Sequence, residues 1–528
     1  MKALQKIFAA LIFAIIFLSV QIGANAAADP VIQIETGKIR GGIENGVAYF
    51  KGIPYAAPPV GNLRWRPPQA PESWRGILDT KNYSNEAAQN GDLGVFAQAG
   101  GSEDCLYLNV FVDEKNLRGN KKLPVFFWIH GGALNVGFAG DYNPLELAKQ
   151  GKAVVVTINY RLGIFGFFAH PAIDAENHAI GNYGLMDQIF ALDWVKRNIS
   201  NFGGDPNNIT IAGESSGGQS VLALMTSPQS EGKFQSAIGM SACTVALNSQ
   251  FTMYTVETAE AKGIALAEAA GLKNPTAEDL RNLTTEEILK VQTPHLLGTF
   301  VIEKDYLPEH IGKAIKAGHV HKVNFVNGTT RNEGSFFAGL REYFMGKPMD
   351  VEDYKKSLQE LSLAFGKDLT EEIFAEYAPE KYSTPAEAYA AVITDAWFAV
   401  PAYNVNNALY RKMPVYAYEF DDRTAPIYLE TSFKQGAAHT YEIPYIFKGF
   451  HGSSKLSTKL NPAQEKLSRE MINYWANVSK LPKQKNWQPY NPAKENFMRF
   501  TLPKSAMFEK SFAKVHHVEF WNKILPAE

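Results

Sequence analysis

The sequence predicts an α/β fold in which a large, mostly parallel sheet is flanked by helices. Two observations support this prediction. Short, unbroken apolar runs rich in β-branched residues recur along the chain, and such runs are typical of strands buried on both faces. Segments with helical spacing of their apolar residues lie between several of these runs, and alternation of strands with helices is typical of a parallel sheet.

Each element follows from a local pattern. The apolar runs that predict strands are Leu106–Val112, Leu123–Ile129, Ala153–Asn159, Ile209–Ala212, Val323–Asn327 and Val415–Phe420. Residues Tyr183–Ile199 carry apolar side chains at i, i+4, i+7 and i+10, which predicts an amphipathic helix. Residues 351–400 are predicted to be mostly helical and to form a lid or subdomain inserted between strands. Ligands of such sheets gather at the carboxyl ends of the strands, so functional residues are expected there.

The composition is typical of a globular protein, with 45 % of the 528 residues hydrophobic and 20 % charged. The formal net charge is −2 and no basic patch or tail is present, so nucleic acid is not an expected partner. The two cysteines, Cys105 and Cys243, lack metal-binding spacing. One disulfide between them is an alternative to the favoured pair of free thiols. No metal site or organic cofactor is expected, and nothing in the sequence indicates an oligomeric state.

Residues 1–26 have the pattern of a secretory signal. Lys2 and Lys6 precede the apolar stretch Ile7–Val20, and Ala24-Asn25-Ala26 is a small-x-small cleavage site. The alternative is a retained membrane anchor, but the stretch is shorter than the ~20 residues that span a bilayer. We therefore expect an exported protein, periplasmic or extracellular, without stable membrane insertion, whose mature part comprises residues 27–528.

The segment Gly213-Glu214-Ser215-Ser216-Gly217 follows the predicted strand Ile209–Ala212 and has the pattern of a nucleophile elbow. In such a turn two glycines allow the backbone to crowd, so that the central serine is presented to substrate. An ordinary strand-to-helix turn is the alternative for this pentapeptide taken alone. The segment therefore makes Ser215 a candidate nucleophile that requires a base and an anion-binding site.

Two further segments supply these missing groups. His130-Gly131-Gly132-Ala133 follows a predicted strand, and its backbone N–H groups could converge on an oxyanion, although a plain glycine-rich turn has the same pattern. Glu333 and His439 lie on loops after the predicted strands Val323–Asn327 and Val415–Phe420. The chain order serine, acid, histidine is the order expected for a triad built on a strand-to-helix elbow.

The chain resembles the type B carboxylesterase/cholinesterase family of α/β-hydrolases over residues 30–525. The motifs that carry the resemblance are Phe50–Ala56, Leu63–Pro68, Ser102–Asn109, Asn159–Gly163, Gly181–Gln188, Asn201–Pro206, Asn332–Gly334 and His439. The resemblance implies that Ser215 is the nucleophile, that His439 is the general base and then the acid, and that Glu333 orients the imidazole. It also implies an oxyanion hole formed by the N–H groups of Gly132, Ala133 and Ser216.

The chain departs from the family pattern at several positions. Ser216 stands where the family usually has alanine, and Ala133 stands where it usually has glycine. Cys105 normally pairs with an upstream cysteine, but Ala87 occupies that position, so Cys105 is expected to be a buried free thiol. The segment Ala88–Asp104 contains no tryptophan, so it lacks the aromatic face that cholinesterases use to bind choline.

The sequence therefore predicts a serine hydrolase of broad specificity that cleaves carboxylic esters, with a small-molecule ester and water as its partners. The alternatives are an esterase specialised for one bulky natural ester and a non-catalytic, cholinesterase-like interaction protein. The side chains expected to line the substrate pocket are Leu134, Phe96, Phe165, Glu214, Cys243 and Phe398.

Overall fold

A computed structural model of the chain describes residues 29–91, 93, 98–117, 119–242, 253–293, 298–450 and 458–525. The predicted leader, residues 1–26, lies outside these ranges, as do Phe96 and Cys243. Among the described residues, no helix combines the length and the apolar character needed to cross a bilayer.

The described strands, numbered in chain order, fall into three sheets. They are β1 (Val31–Ile34), β2 (Gly37–Arg40), β3 (Gly42–Glu44), β4 (Val47–Pro54), β5 (Ile77–Asp79), β6 (Tyr107–Asp113), β7 (Leu123–Ile129), β8 (Val154–Ile158), β9 (Gly204–Glu214), β10 (Ser236–Met240), β11 (Met253–Thr255), β12 (Phe300–Ile302), β13 (Asn324–Thr330), β14 (Val415–Phe420), β15 (Phe497–Phe500) and β16 (Ala506–Phe508).

The described α-helices are numbered in the same way. They are α1 (Glu114–Leu117), α2 (Leu145–Gly151), α3 (Gly163–Gly166), α4 (Pro171–Asp174), α5 (Tyr183–Asn198), α6 (Ser216–Thr226), α7 (Val256–Ala269), α8 (Ala277–Arg281), α9 (Thr285–Val291), α10 (Ile311–Ala317), α11 (Gly334–Met345), α12 (Val351–Ala364), α13 (Thr370–Glu376), α14 (Pro385–Ile393), α15 (Val400–Leu409), α16 (Pro462–Trp475), α17 (Phe512–Val515) and α18 (Val518–Ile524). A π-helical turn, Thr394–Ala399, joins α14 to α15.

The central sheet has eleven strands in the order β16-β15-β14-β13-β10-β9-β7-β8-β6-β4-β3. The seven strands from β15 to β8 run parallel, and the strands added at both edges are antiparallel. Two small sheets, β1-β2-β5 and β11-β12, lie apart from it. The predicted α/β class with a large, mostly parallel sheet is confirmed.

All six predicted strands are present, and β7 and β14 have the predicted bounds. Strand β9 begins earlier than predicted, at Gly204, because its first residue pairs with Leu123 of β7. Strand β13 continues to Thr330, which pairs with Phe420 at the end of β14. Pairing with neighbouring strands therefore extends both elements into segments whose composition is polar.

Helix α5 begins where predicted, but the prediction of a single apolar face is wrong. Most of its residues are buried, including Asp187 and Gln188. Both polar side chains have an internal hydrogen-bond partner, since Arg161 donates to Asp187 at 2.7 Å and the side-chain nitrogen of Gln188 donates to Ser220 at 3.1 Å. A helix enclosed by other elements can carry polar groups on its buried faces when each finds a hydrogen-bond partner.

The register of the parallel strands determines where their carboxyl ends meet. Ile129 of β7 is level with Gly213 of β9, which is level with Gly239 of β10. Gly239 is in turn level with Asn327 of β13. The loops that leave these four strands therefore emerge at one edge of the sheet, as expected for a ligand site in an open α/β sheet.

Candidate active site

Ser215 is the single residue between the end of β9 and the beginning of α6, and its backbone is strained. Its φ is 56° and its ψ is −125°, a combination that non-glycine residues rarely adopt. The flanking glycines permit this turn. A Cβ on Gly217 would lie 2.1 Å from the carbonyl oxygen of Ile129, and one on Gly213 would lie 2.4 Å from the carbonyl group of Gly217. The segment thus has the geometry of an elbow that holds a serine at the sheet edge.

His439 and Glu333 are joined at the same edge. Nδ1 of His439 lies 2.6 Å from Oε2 of Glu333, whose side chain is fully buried. The other carboxyl oxygen of Glu333 accepts hydrogen bonds from the hydroxyl of Ser241 at 2.6 Å and from the N–H of Thr330 at 2.8 Å. These bonds fix the acid, and the acid in turn fixes the tautomer and the orientation of the imidazole.

Ser215 and His439 line one cavity of about 100 Å³. Its walls are largely apolar and aromatic, and they include Val136, Tyr142, Phe336, Phe337, Ile443 and Phe450. Its polar lining includes Asp141, Glu214 and Thr440, and no lysine or arginine is among the described lining residues. A concave apolar space with a few polar groups beside a strained serine is typical of a small-molecule site.

Three phenylalanine rings enclose the imidazole of His439. The ring centroids of Phe336, Phe337 and Phe398 lie 5.6, 5.3 and 5.0 Å from that of the histidine. Phe398, which was predicted to line the pocket, belongs to the helical segment 351–400 and packs on the imidazole, but it is not among the residues that line the cavity. Phe336 and Phe337 were missed, although an aromatic pair shortly after a candidate acid is a signal that could have found them.

A second carboxyl group approaches His439 from the opposite side. Oε1 of Glu214 lies 3.2 Å from Nε2 of His439, without a hydrogen bond to any described residue. Burial raises the pKa of Glu214 well above its usual value, and the charges of Glu442 and Glu333 raise it further. Burial and the charge of Glu333 likewise raise the pKa of Glu442, a residue that sequence reasoning missed. The neutral form of Glu214 is therefore favoured beside the imidazole.

The loop after β7 presents free backbone N–H groups. Gly132 has a φ of 109° and Ala133 a φ of 56°, and both residues line the cavity. Within the described part of the chain, the N–H groups of Gly132, Ala133 and Ser216 donate to no carbonyl or side chain. Such a set of unpaired donors at the head of a helix can hold an anion.

His130, at the beginning of this loop, is not a second base. Burial lowers its pKa to about 4, and its ring stacks against Tyr160 with centroids 4.6 Å apart. The imidazole is therefore neutral at physiological pH and belongs to the packing beneath the loop.

Two further predicted residues do not line the cavity at Ser215. Leu134 and Phe165 are 2 % and 3 % exposed and pack in the hydrophobic core. The prediction that these two residues line the pocket is therefore wrong, while Phe96 and Cys243 lie outside the described residues.

Cys105 is a buried free thiol, as predicted, and burial raises its pKa well above the usual value. Among the described residues, no group of three or more His, Cys, Asp or Glu side chains is arranged to hold a metal ion.

Comparison with known proteins adds a consistent set of relatives. The model of the carboxylesterase family matches residues 28–521. The chain is 32 % identical to human "Cocaine esterase", with 95 % of the chain and 92 % of the relative covered. It is 33 % identical to "Para-nitrobenzyl esterase" of Bacillus subtilis (strain 168), with 87 % and 92 % covered. A solved structure described as a thermophilic PNB esterase superimposes with a TM-score of 0.76 at 31 % identity, covering 93 % of this chain and 100 % of that one.

Proposed function

The chain belongs to the carboxylesterase family and is a carboxylic ester hydrolase; from this premise we propose that Ser215 is its nucleophile and that the reaction passes through an acyl-enzyme. The observation that carries the proposal is a convergence at one cavity. A strained serine and a histidine held through Nδ1 by a buried glutamate line this cavity together with Gly132 and Ala133, whose N–H groups are unpaired among the described residues, as is the N–H of Ser216 next to the serine. Each of these parts has a role in acyl transfer from an ester to water.

In the first step the hydroxyl oxygen of Ser215 attacks the ester carbonyl while Nε2 of His439 accepts the hydroxyl proton. The negative charge that develops on the carbonyl oxygen is stabilised by the N–H groups of Gly132, Ala133 and Ser216. Glu333 stabilises the imidazolium through Nδ1. The bond to the alcohol oxygen then breaks, and the alcohol leaves with the proton held on Nε2.

In the second step water replaces the alcohol. His439 accepts a proton from the water as it attacks the acyl-enzyme, and then returns that proton to Ser215 as the carboxylic acid leaves. Burial and the charges of Glu442 and Glu333 raise the pKa of Glu214, which disfavours a second charged carboxylate that would hold the imidazolium at Nε2. Ester and water are thus the reactants, and no cofactor takes part in the proposed steps.

The substrates proposed are uncharged or weakly charged esters of broad type. The apolar and aromatic wall supports binding of acyl or alcohol groups without charge, and no lysine or arginine among the described lining residues would pair with an anionic group. Residues 27–528 are proposed to form one catalytic domain. Within it, segment 351–400 is proposed to act as a helical insertion that closes one side of the pocket, because its Phe398 packs on His439.

The test is hydrolysis of a short-chain chromogenic ester by the full-length enzyme and by Ser215→Ala. We expect the rate to fall by about 10⁴- to 10⁶-fold, because the substitution removes the attacking oxygen. Ser73→Ala, at an exposed serine outside the cavity, is the matched control and should retain the wild-type rate. A fluorophosphonate should label the wild-type protein at one site and fail to label Ser215→Ala. Equal rates for wild type and Ser215→Ala would exclude the proposed nucleophile.

Residues 1–26 lie outside the described ranges, and we propose from their sequence pattern that they direct export and are then removed. The support is the charged start, the short apolar stretch and the cleavage site before Ala27. The intact mass of protein recovered from the medium or the periplasm should correspond to a chain that begins at Ala27. A full-length mass in that fraction would contradict the proposal.

A further inference from the structure

Two departures from the family pattern, Ser216 and Ala133, are linked by a hydrogen bond that Ser216 makes with the residue after Ala133. The hydroxyl oxygen of Ser216 accepts the N–H of Leu134 at 3.0 Å. Both residues are 2 % exposed, so water cannot replace either partner. Leu134 directly follows Ala133, whose N–H is one of the three unpaired donors at the cavity. The Ser216 hydroxyl therefore contacts the loop His130–Leu134, here named the oxyanion loop, one residue beyond a group that would bind the oxyanion.

The loop that this bond holds is strained. Ala133 has a φ of 56° and Leu134 a φ of 61°, so two consecutive residues with side chains occupy the left-handed region. That region disfavours residues with a Cβ, and a glycine would occupy it without the steric penalty. An alanine at position 133 therefore needs an external contact to keep its N–H directed at the cavity, whereas a glycine would not.

A second hydroxyl contacts the other end of the loop. The Tyr160 hydroxyl donates to the carbonyl oxygen of His130 at 2.9 Å. His130 is the first residue of the oxyanion loop, and Leu134 is at its other end. Tyr160 and Ser216 therefore each make a hydrogen bond with one end of the loop.

We propose that the Ser216 hydroxyl is a positioning group that holds the strained oxyanion loop in its productive conformation, and that it compensates for the alanine at position 133. This inference rests on the proposed function of the site. The Ser216 hydroxyl does not touch the substrate. It acts through the backbone, by keeping the N–H of Ala133 at the place where the oxyanion forms.

The first experiment is a double-mutant cycle at positions 216 and 133, measured by hydrolysis of a short-chain ester. In the natural Ala133 background, Ser216→Ala should lower kcat about 10- to 100-fold with little change in KM. This loss is smaller than the roughly 100- to 1000-fold typical of a deleted oxyanion donor, because the donor is displaced and not removed. In an Ala133→Gly background the same Ser216→Ala change should lower kcat less than about threefold.

A second readout separates positioning from general packing. A trifluoromethyl ketone, which forms a tetrahedral adduct with a catalytic serine, should bind Ser216→Ala more weakly by the same factor as kcat/KM falls. The matched control is Thr226→Val, at the end of α6. The Thr226 hydroxyl donates to a backbone carbonyl, that of Ala223, at 3.0 Å, but within the described part of the chain it forms no hydrogen bond with the loop or with Ser216. This control should lower the melting temperature and leave kcat within about twofold of wild type.

Two results would contradict a positioning role for the Ser216 hydroxyl. An unchanged kcat in Ser216→Ala overturns the inference, and so does an equal loss of kcat in the wild-type and Ala133→Gly backgrounds. If Ser216→Ala does not fold alone, Ala133→Gly and its double variant are compared, and a loss above tenfold between them overturns the inference. Failure of the proposed function itself is seen separately, because Ser215→Ala would then retain activity whatever happens at position 216.

Discussion

His439 lies between two carboxyl groups with different roles. Glu333 faces Nδ1 at 2.6 Å and accepts two further hydrogen bonds, whereas Glu214 faces Nε2 at 3.2 Å and accepts none from the described residues through its nearer oxygen. Burial, with the charges of Glu442 and Glu333, raises the pKa of Glu214, and on the proposed assignment Nε2 is the nitrogen that accepts the serine proton. The two glutamates thus differ in the number of hydrogen-bond donors that the described residues offer to their carboxyl oxygens.

A substitution at Ser241 tests whether the hydrogen bonds to Glu333 matter for the reaction. Its hydroxyl donates to Glu333 at 2.6 Å, and Ser241→Ala would leave that oxygen with the Thr330 N–H alone. A hydrogen bond to a charged group contributes about 1.5–3 kcal/mol, so kcat/KM for a short-chain ester should fall about 10- to 100-fold. Steady-state kinetics with the chromogenic ester give the measurement.

The control for Ser241→Ala is Ser236→Ala on β10. Ser236 is fully buried, and its hydroxyl has no hydrogen-bond partner among the described residues. The two substitutions remove the same atom from similarly buried sites, yet only Ser241 supports the acid. Similar kinetics for both variants would show that the hydroxyl of Ser241 does not matter to the orientation of His439.

At the scale of the element, local pattern predicted the strands well. Unbroken apolar runs predicted β7 and β14 to the residue, because these strands are buried on both faces and hydrophobicity alone marks their ends. The elbow was also predicted from sequence, since the glycines at 213 and 217 are required by close backbone contacts. The candidate site residues Ser215, Glu333 and His439 follow from strand ends and chain order.

Contacts made by packing could not be predicted in this way. Helix α5 has buried polar residues because other elements enclose it, and periodicity carries no record of those neighbours. Leu134 and Phe165 were expected in the pocket, but side-chain direction is decided by the core around them. Glu442 lies three residues after His439 without any pattern that separates it from an ordinary surface acid; its burial is a tertiary effect.

At the scale of the whole molecule, a buried charge network joins the sheet to the C-terminal helices. Glu419 on β14 contacts Arg331 at 2.8 Å, Arg499 at 2.9 Å and His516 at 3.0 Å. His516 also contacts Asp395 of the π-helical turn at 2.6 Å. The network therefore links strands β13 to β15, segment 351–400 and the end of the chain.

The network makes stability depend on pH in two directions. Burial alone would raise the pKa of Glu419, but the hydrogen bond from His516 and the charges of Arg331 and Arg499 lower it to about 2. The contribution of Glu419 to stability is thus present above the pKa of an unfolded glutamate, about 4.3, and is lost as pH falls toward 2.

His516 has the opposite dependence. Burial lowers the pKa of His516, but Asp395 and Glu419 together raise it above its usual value. The contribution of His516 is complete below about pH 6.5 and is lost as pH rises through its folded pKa.

Glu419→Gln should therefore destabilise the protein in a pH-dependent way. Removing one partner of a buried ion pair costs about 3–5 kcal/mol, so the melting temperature at pH 6 should fall clearly below that of wild type. The deficit should shrink at pH 3, where the wild-type carboxylate begins to be lost. Thermal unfolding followed by circular dichroism at both pH values gives the measurement.

Glu371→Gln is the matched control, because Glu371 is 79 % exposed and meets Lys355 at 3.6 Å on the surface. Such a pair contributes little, so the melting temperature should stay near the wild-type value at both pH values. A deficit in Glu419→Gln that is equal at pH 6 and pH 3 would contradict the assignment of a low pKa to this carboxyl group.

The parallel sheet gathers at one edge loops that are far apart along the chain, and this has a consequence during synthesis. Ribosomes add about 5–20 residues per second, so His439 is made roughly 10–45 s after Ser215. On the proposed assignment, a nascent chain carries its serine for that whole interval without a base to activate it. The nascent chain therefore cannot hydrolyse esters near the ribosome, and hydrolysis begins only after the C-terminal part of the chain has been synthesised and folded.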